Sequence, residues 1–183
     1  MRILTIAGSL RRDSFNRKLL QQARELMPAV VESVDWDDLG SVPAFNEDDE
    51  DAPDAAVRAL RAAIAAVDAV LIATPEYNAS IPGQLKNALD WASRPFPDSV
   101  LRGKPVLVIG ASPSPAGGVR GQADTRKVLR AAGARVLDGE LAVADAYRRF
   151  DDAGRLVDPE LRDRLDGLMH ELAANGRAEV VSA

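Results

Sequence analysis

Three short runs stand out along the chain because almost every position in them is apolar. They are Ile3-Leu4-Thr5-Ile6-Ala7, Ala69-Val70-Leu71-Ile72-Ala73 and Pro105-Val106-Leu107-Val108-Ile109-Gly110. Runs of this length without polar alternation fit parallel strands buried on both faces. Val30 to Trp36 alternates more, as a strand nearer an edge would. Ala134 to Leu137 and Leu141 to Val143 supply a last strand, interrupted at Asp138-Gly139. Between the strands, apolar residues recur at helical spacing. Phe15 to Met27 puts Leu19, Leu20, Ala23, Leu26 and Met27 on one side and stops at Pro28. Asp54 is a candidate cap for a helix through Ala66 carrying Val57, Leu60 and Ile64. Pro82 sits in the first turn of a helix through Ala92. A further helix covers about Gly121 to Ala132. Asp158-Pro159 opens the last one, which ends near Gly176 and leaves a tail to Ala183 expected to be loosely held.

Strand and helix alternate throughout, with no second composition regime and no internal repeat. This predicts one doubly wound α/β domain over residues 1–183, built on a parallel sheet. Ligands of such sheets bind beyond the carboxyl ends of the strands. Three polar, Gly/Pro-rich loops leave those ends, at 8–14, 74–80 and 111–120. They are expected to converge on one site.

Composition narrows the chemistry. The 183 residues are 46% hydrophobic but only 4% aromatic, so the core is expected to be mainly Ala, Val, Leu and Ile. A net charge of −5 gives no nucleic-acid footprint. With no cysteine there is no disulfide, thiolate metal site or thiol nucleophile. No apolar run approaches membrane-spanning length, and no membrane association is expected; a cytoplasmic protein is. The acidic run Glu47-Asp48-Asp49-Glu50-Asp51 lacks calcium-loop spacing and reads as a solvated face, with no metal expected. The single histidine, His170, falls in the last helix, away from the loops.

Gly8 to Asn16 joins a buried strand to a helix through Ser9, Arg11, Arg12 and Ser14. The start of a helix carries unpaired N–H groups and partial positive charge, which attract anions. Arginine adds a fork suited to phosphate. The alternative is that Ser14 only caps the helix and the arginines are solvated. A dinucleotide fingerprint is disfavoured, because Leu10 stands where the second glycine would admit a pyrophosphate. A terminal monophosphate fits better. Backbone groups around Glu76, Tyr77 and Asn78 can meet the polar edge of a flat ring, with Tyr77 as a wall. Gly117 and Gly118 can let main-chain amides close on a ring edge.

These stretches resemble the NAD(P)H-dependent FMN reductase family. Gly8-Ser9-Leu10-Arg11 with Ser14-Phe15-Asn16 is similar to its phosphate loop. Pro75-Glu76-Tyr77-Asn78, Ser80 and Pro82 to Trp91 are close to its second signature. Ser112, Gly117-Gly118 and Arg120 resemble its third, although Pro113 and Pro115 depart from a glycine-richer pattern. The resemblance spans about Met1 to Ala144 and implies a flavodoxin-like fold: a five-stranded parallel sheet of order 2-1-3-4-5 with helices on both faces. It also implies a cofactor set. Ser9, Arg11, Ser14 and Asn16 would hold the FMN phosphate, with Phe15 beside them. Pro75, Glu76, Tyr77 and Asn78 would line the isoalloxazine, and Ser112, Gly117 and Gly118 would close its pyrimidine side. NADPH or NADH would be the co-substrate, with Arg11, Arg12, Arg17 and Arg120 as candidates for a 2′-phosphate contact.

The implied activity is ping-pong hydride transfer from NAD(P)H through FMN to a small-molecule acceptor: a quinone, free flavin, azo compound or chromate. No catalytic residue is expected from the protein, since the cofactor carries the chemistry. The family resemblance also implies a homodimer or homotetramer, with Leu85, Leu89 and Trp91 at the interface; helical spacing alone makes them core. The competing reading is a flavodoxin-type electron carrier that uses the acidic 47–51 run as a docking surface. A flavin-free regulatory protein on the same scaffold is a third.

Overall fold

A computed structural model of the chain describes residues 1–177; the tail beyond 177 lies outside the described residues. The elements run β1 (Arg2–Ala7), α1 (Phe15–Glu25), β2 (Glu32–Trp36), α2 (Ala55–Ala65), β3 (Ala69–Ala73), α3 (Gly83–Ala92) and β4 (Pro105–Ala111). They continue with α4 (Val119–Ala131), β5 (Arg135–Val136), β6 (Ala142–Val143), α5 (Ala146–Arg149) and α6 (Pro159–Arg177). The sheet is parallel, in the order β2-β1-β3-β4-β5, with β6 also on β4. β5 and β6 are therefore two pieces of one interrupted fifth strand, and the fold is flavodoxin-like, as expected.

Successive residues of a strand point to opposite faces, and both faces of the central strands are dry. Ile3, Leu71, Leu107 and Ile109 pack on one side with Leu19, Leu20 and Ala23 of α1 and Leu165, Met169 and Leu172 of α6. Leu4, Val70, Ile72, Val106 and Val108 pack on the other with α2, α3 and α4, including Leu60, Ile64, Leu85, Leu89 and Leu129. That two-faced burial is why these strands read as continuous apolar runs. β2, at the edge, keeps only Trp36 buried, which explains its alternation.

The break in the fifth strand is bridged by Arg126, 5% exposed. Its Nη2 donates to Val108 O at 2.7 Å and Gly139 O at 3.3 Å, filling the gap that the missing strand residues leave beside β4. Burial pushes this guanidinium below its ordinary pKa, and nearby Glu140 opposes the shift.

Several boundaries differ from the sequence reading. α1 stops at Glu25, with Leu26 as its cap, and β2 starts only at Glu32, after Val31 N–H bonds to Pro28 O at 2.8 Å. α4 starts at Val119, before Gly121. That glycine lies inside the helix because a Cβ there would fall 2.6 Å from Pro75 O. The 37–53 stretch contains two 3₁₀ turns, Asp38–Ser41 and Glu47–Asp49, and a short helix, α5, follows β6 where the hydrophobic pattern predicts none. Side chains of α3 hold the 37–53 stretch in place. Gln84 Nε2 donates to Leu39 O and Val42 O at 2.9 and 2.8 Å, and Trp91 Nε1 donates to Pro43 O at 2.9 Å. Glu47 and Glu50 of the acidic run pair with Arg94 at 3.3 and 2.7 Å, while Asp48, Asp49 and Asp51 are exposed.

One correction concerns Leu85, Leu89 and Trp91, which the family resemblance placed at a subunit interface. They are 1, 3 and 1% exposed within a single chain. Sheet and 37–53 stretch cover them, so they belong to the core, as their helical spacing alone indicated.

Tyr77 and Ser80 form a tight antiparallel bridge, each N–H bonding the other's carbonyl at 3.1 Å. The two residues between them are left-handed, Asn78 at φ 51° and Ala79 at φ 62°. This turn favours Asn-Gly, and alanine there carries a steric cost. Ala79→Gly is expected to stabilise the protein by about 0.5–1 kcal/mol, read as a raised midpoint in urea unfolding. An unchanged or lowered midpoint would show that the turn carries no such strain.

Candidate functional site

Each loop leaves the carboxyl end of one of the three buried strands, so all three reach the same edge of the sheet. Together they enclose a cleft of about 170 Å³. Ser9, Arg11, Ser14, Phe15, Asn16, Pro75, Glu76, Tyr77 and Ser112 line it, joined by Ala111 and Pro113, which the sequence reading did not single out. Asn78, Gly117 and Gly118 stand outside this lining. A larger groove of about 360 Å³, around Phe96 between α3 and α4, holds none of the three loops.

The first loop turns at Gly8. A Cβ there would lie 2.9 Å from Leu85 Cδ2 and 3.3 Å from Thr74 Cα, so glycine lets the end of β1 pass close to Thr74 without displacing either neighbour. Ser9 is buried, and its hydroxyl lies 3.3 Å from that of Tyr77, joining the first loop to the second. Ser14 caps α1, its Oγ accepting from Asn16 N–H at 3.2 Å. The first turn of α1 contains no acidic residue, so nothing on the helix itself neutralises its positive end. Lys18 holds the Asp13 carboxyl below the usual carboxylate range, first by a hydrogen bond and then by its charge. Arg17 pairs with Asp37 at 2.5 Å. Arg11 donates instead to a carbonyl, Asp13 O, at 2.9 Å, and its positive charge remains at the cleft. Arg12 and Arg120 are exposed.

Asn16 does something its position in the chain does not reveal. Its Nδ2 donates to Ala111 O and its Oδ1 accepts from Ala111 N–H, both at 2.9 Å. The side-chain amide copies a strand rung and ties the start of α1 to the end of β4. One Nδ2 hydrogen remains for another partner.

The second loop leans on α4. Glu76 Oε2 accepts from Arg120 N–H at 2.9 Å and Gly121 N–H at 3.4 Å, and Ser80 Oγ donates to Asp124 at 2.6 Å. Tyr77 is 47% exposed and forms an open wall. The third loop is supported from below: Ser112 N–H bonds Val143 O at 3.0 Å, and Ser112 Oγ accepts from Ser114 N–H at 3.1 Å. Gly117 and Gly118 have φ of 62° and 78°, and a Cβ on Gly117 would lie 3.0 Å from Ala142. Their role is to bring the chain back over β6 into α4. His170 is exposed on α6, beside Asp166.

The cleft thus brings Arg11 and the start of α1, groups that attract anions, together with the half-exposed Tyr77 and with Ser112-Pro113. Its lining holds no histidine, cysteine or lysine to act as general base or nucleophile. Such a site suits a ligand with a phosphate at one end and a planar ring at the other, with the ring doing the chemistry.

Comparison with known proteins agrees. Residues 1–148 match the model of the NADPH-dependent FMN reductase family. A 2-hydroxy-1,4-benzoquinone reductase of a Burkholderia species is 40% identical over 175 residues, covering 95% of each chain. An NAD(P)H-dependent FMN reductase of Pseudomonas aeruginosa is 39% identical over 174 residues, 94% of this chain and 93% of that one. The solved structure of FerB, a flavoenzyme NAD(P)H:(acceptor) oxidoreductase from Paracoccus denitrificans, superposes with a TM-score of 0.87 at 31% identity and 97% coverage of both chains. With its motifs, its sheet order and its three-loop cleft in agreement, this chain belongs to the NADPH-dependent FMN reductase family of oxidoreductases, flavoenzymes that use FMN and NAD(P)H.

Proposed function

We propose that this chain, as a single domain over residues 1–183, is an NAD(P)H:quinone oxidoreductase that works through FMN held in the three-loop cleft. The observation that supports the assignment of the cleft is its lining: Arg11 beside a helix whose first turn has no acidic residue, together with the half-exposed ring of Tyr77. Ser9, Arg11, Ser14 and the remaining Asn16 hydrogen take the phosphate, with Phe15 alongside. Pro75, Glu76 and Tyr77 present backbone to the ring on one side and Ser112 on the other. Asn78, Gly117 and Gly118 act by shaping the second and third loops. FMN held there would supply the redox chemistry, hydride transfer from NAD(P)H and electron transfer to the acceptor. The residues around it bind, orient and leave a face uncovered.

Exposed Tyr77 beside the cleft suits stacking of flat substrates, and NAD(P)H and acceptor would use that one face in turn, a ping-pong cycle. A quinone is favoured as acceptor because the Burkholderia relative, matched over 95% of both chains, is named for a benzoquinone. Use of NAD(P)H fits work in the cytoplasm. No helix of the described residues is long and apolar enough to cross a membrane. The chain is also proposed to assemble as a homodimer or homotetramer. The contact face must use residues other than Leu85, Leu89 and Trp91, and Phe96, 76% exposed, is available. Light scattering on the purified protein should give a dimeric or tetrameric mass; a monomer at micromolar concentration would refute assembly.

The activity test is anaerobic oxidation of NADPH and NADH by FMN-loaded protein with benzoquinone, free flavin, an azo dye or chromate. Quinone should give the highest kcat/KM, with parallel double-reciprocal lines. Flavin binding without NAD(P)H oxidation would leave only the electron carrier. Arg11→Ala should weaken FMN binding about ten- to hundredfold, the scale of hydrogen bonds to a charged group, as read by flavin fluorescence titration. Unchanged affinity would place the phosphate elsewhere.

A further inference from the structure

Among the helices that begin at the edge of the sheet where the cleft lies, α1 and α4 are electrostatically unlike. α1 is capped by its own neutral Ser14 and has no acidic residue in its first turn. α4 has no cap of its own: its N-cap residue is Gly118, in the left-handed region, and its first turn is also without acid. The missing cap comes from 44 residues earlier in the chain, where Glu76 Oε2 accepts from Arg120 N–H and Gly121 N–H. The backbones of the second loop and α4 approach closely at this point. A Cβ on Gly121 would lie 2.6 Å from Pro75 O and 3.0 Å from Glu76 Cα. The Ser80–Asp124 bond ties the same loop to the same helix a turn further on.

We propose that Glu76 is a positioning residue that, by capping α4, directs the cofactor's phosphate to α1 and lowers the reduction potential of the flavin ring. The proposal rests on the assignment of FMN to this cleft. Of these two helix starts, α1 has its nearest carboxylate, Asp13, paired with Lys18 at 2.9 Å, whereas α4 is occupied by the carboxylate of Glu76. The phosphate end therefore goes to α1, and the ring end faces the Glu76–α4 pair. A helix N-terminus carries about half a positive charge, so the pair is net negative by about half a charge. Reduction adds electron density to the ring, and a net negative wall opposes it. Glutamine at this position keeps a carbonyl acceptor for the two N–H groups but removes the charge, leaving the helix end net positive.

The experiment uses the full chain with FMN as the probe: fluorescence titration, then spectroelectrochemical measurement of the bound flavin's midpoint potential. It compares wild type, Glu76→Gln and Glu76→Ala. If wild type fails to take up FMN, the cofactor assignment falls and this proposal with it. With FMN bound to wild type, Glu76→Gln should hold FMN within about threefold of wild-type affinity and show a raised midpoint potential. Glu76→Ala should bind FMN about tenfold more weakly, the scale of a lost cap. A potential in Glu76→Gln that is unchanged or lower overturns the proposal while leaving the cofactor assignment intact. So does wild-type affinity in Glu76→Ala. Thermal unfolding of the flavin-free proteins separates a purely structural role, in which the melting temperature falls but the potential of the glutamine variant does not move.

Discussion

Everything at the cleft depends on β1, β3 and β4 being buried on both faces. A strand with water on neither side must have helices above and below it. Helices on both faces require parallel strands joined by crossovers. Parallel strands all end at the same edge, so Gly8, Thr74 and Ser112 emerge side by side even though they are far apart in the chain. The functional site is a consequence of how apolar side chains such as Ile3, Leu71 and Leu107 on one face, and Leu4, Val70 and Val106 on the other, leave water.

The loops are then locked to each other by polar ties between chain-distant partners. Asn16 grips the backbone of Ala111, Glu76 grips the start of α4, and Ser80 reaches Asp124. Each tie joins one strand–helix unit to another at the cleft. That suits an enzyme whose chemistry resides in a cofactor. The protein needs no acid or base of its own at the reacting end, but it needs a wall of fixed geometry and fixed charge.

Much of this was legible in the sequence. The apolar runs announced the buried strands, the alternation at 30–36 announced an edge strand, and Asp138-Gly139 announced the break in the fifth. The same reading went astray where a residue's reason lies across the fold. Gly121 looked like a helix start, but it is a glycine because Pro75 O approaches it from another loop. Glu76 lines the cleft as expected of its loop, but nothing in its local sequence shows that its carboxylate caps α4, 44 residues further on. Gln84, Asn87 and Trp91 carry no signal in sequence for the work they do in pinning the 37–53 stretch.

The sequence alone determined what depends on periodicity and local chemistry. Buried strands need uninterrupted apolar side chains, helices need their spacing, and a loop that attracts anions needs hydroxyls and an arginine, here Ser9, Ser14 and Arg11, at the start of a helix. These are short-range requirements, so they are written as neighbouring letters. The tertiary structure decided what depends on packing between distant segments: that Leu85, Leu89 and Trp91 are interior, that Asn16 serves as a strand rung, and that the second helix start at the cleft is closed by a carboxylate. Those outcomes depend on which backbone groups would otherwise be left without partners, and that is known only once the chain has folded.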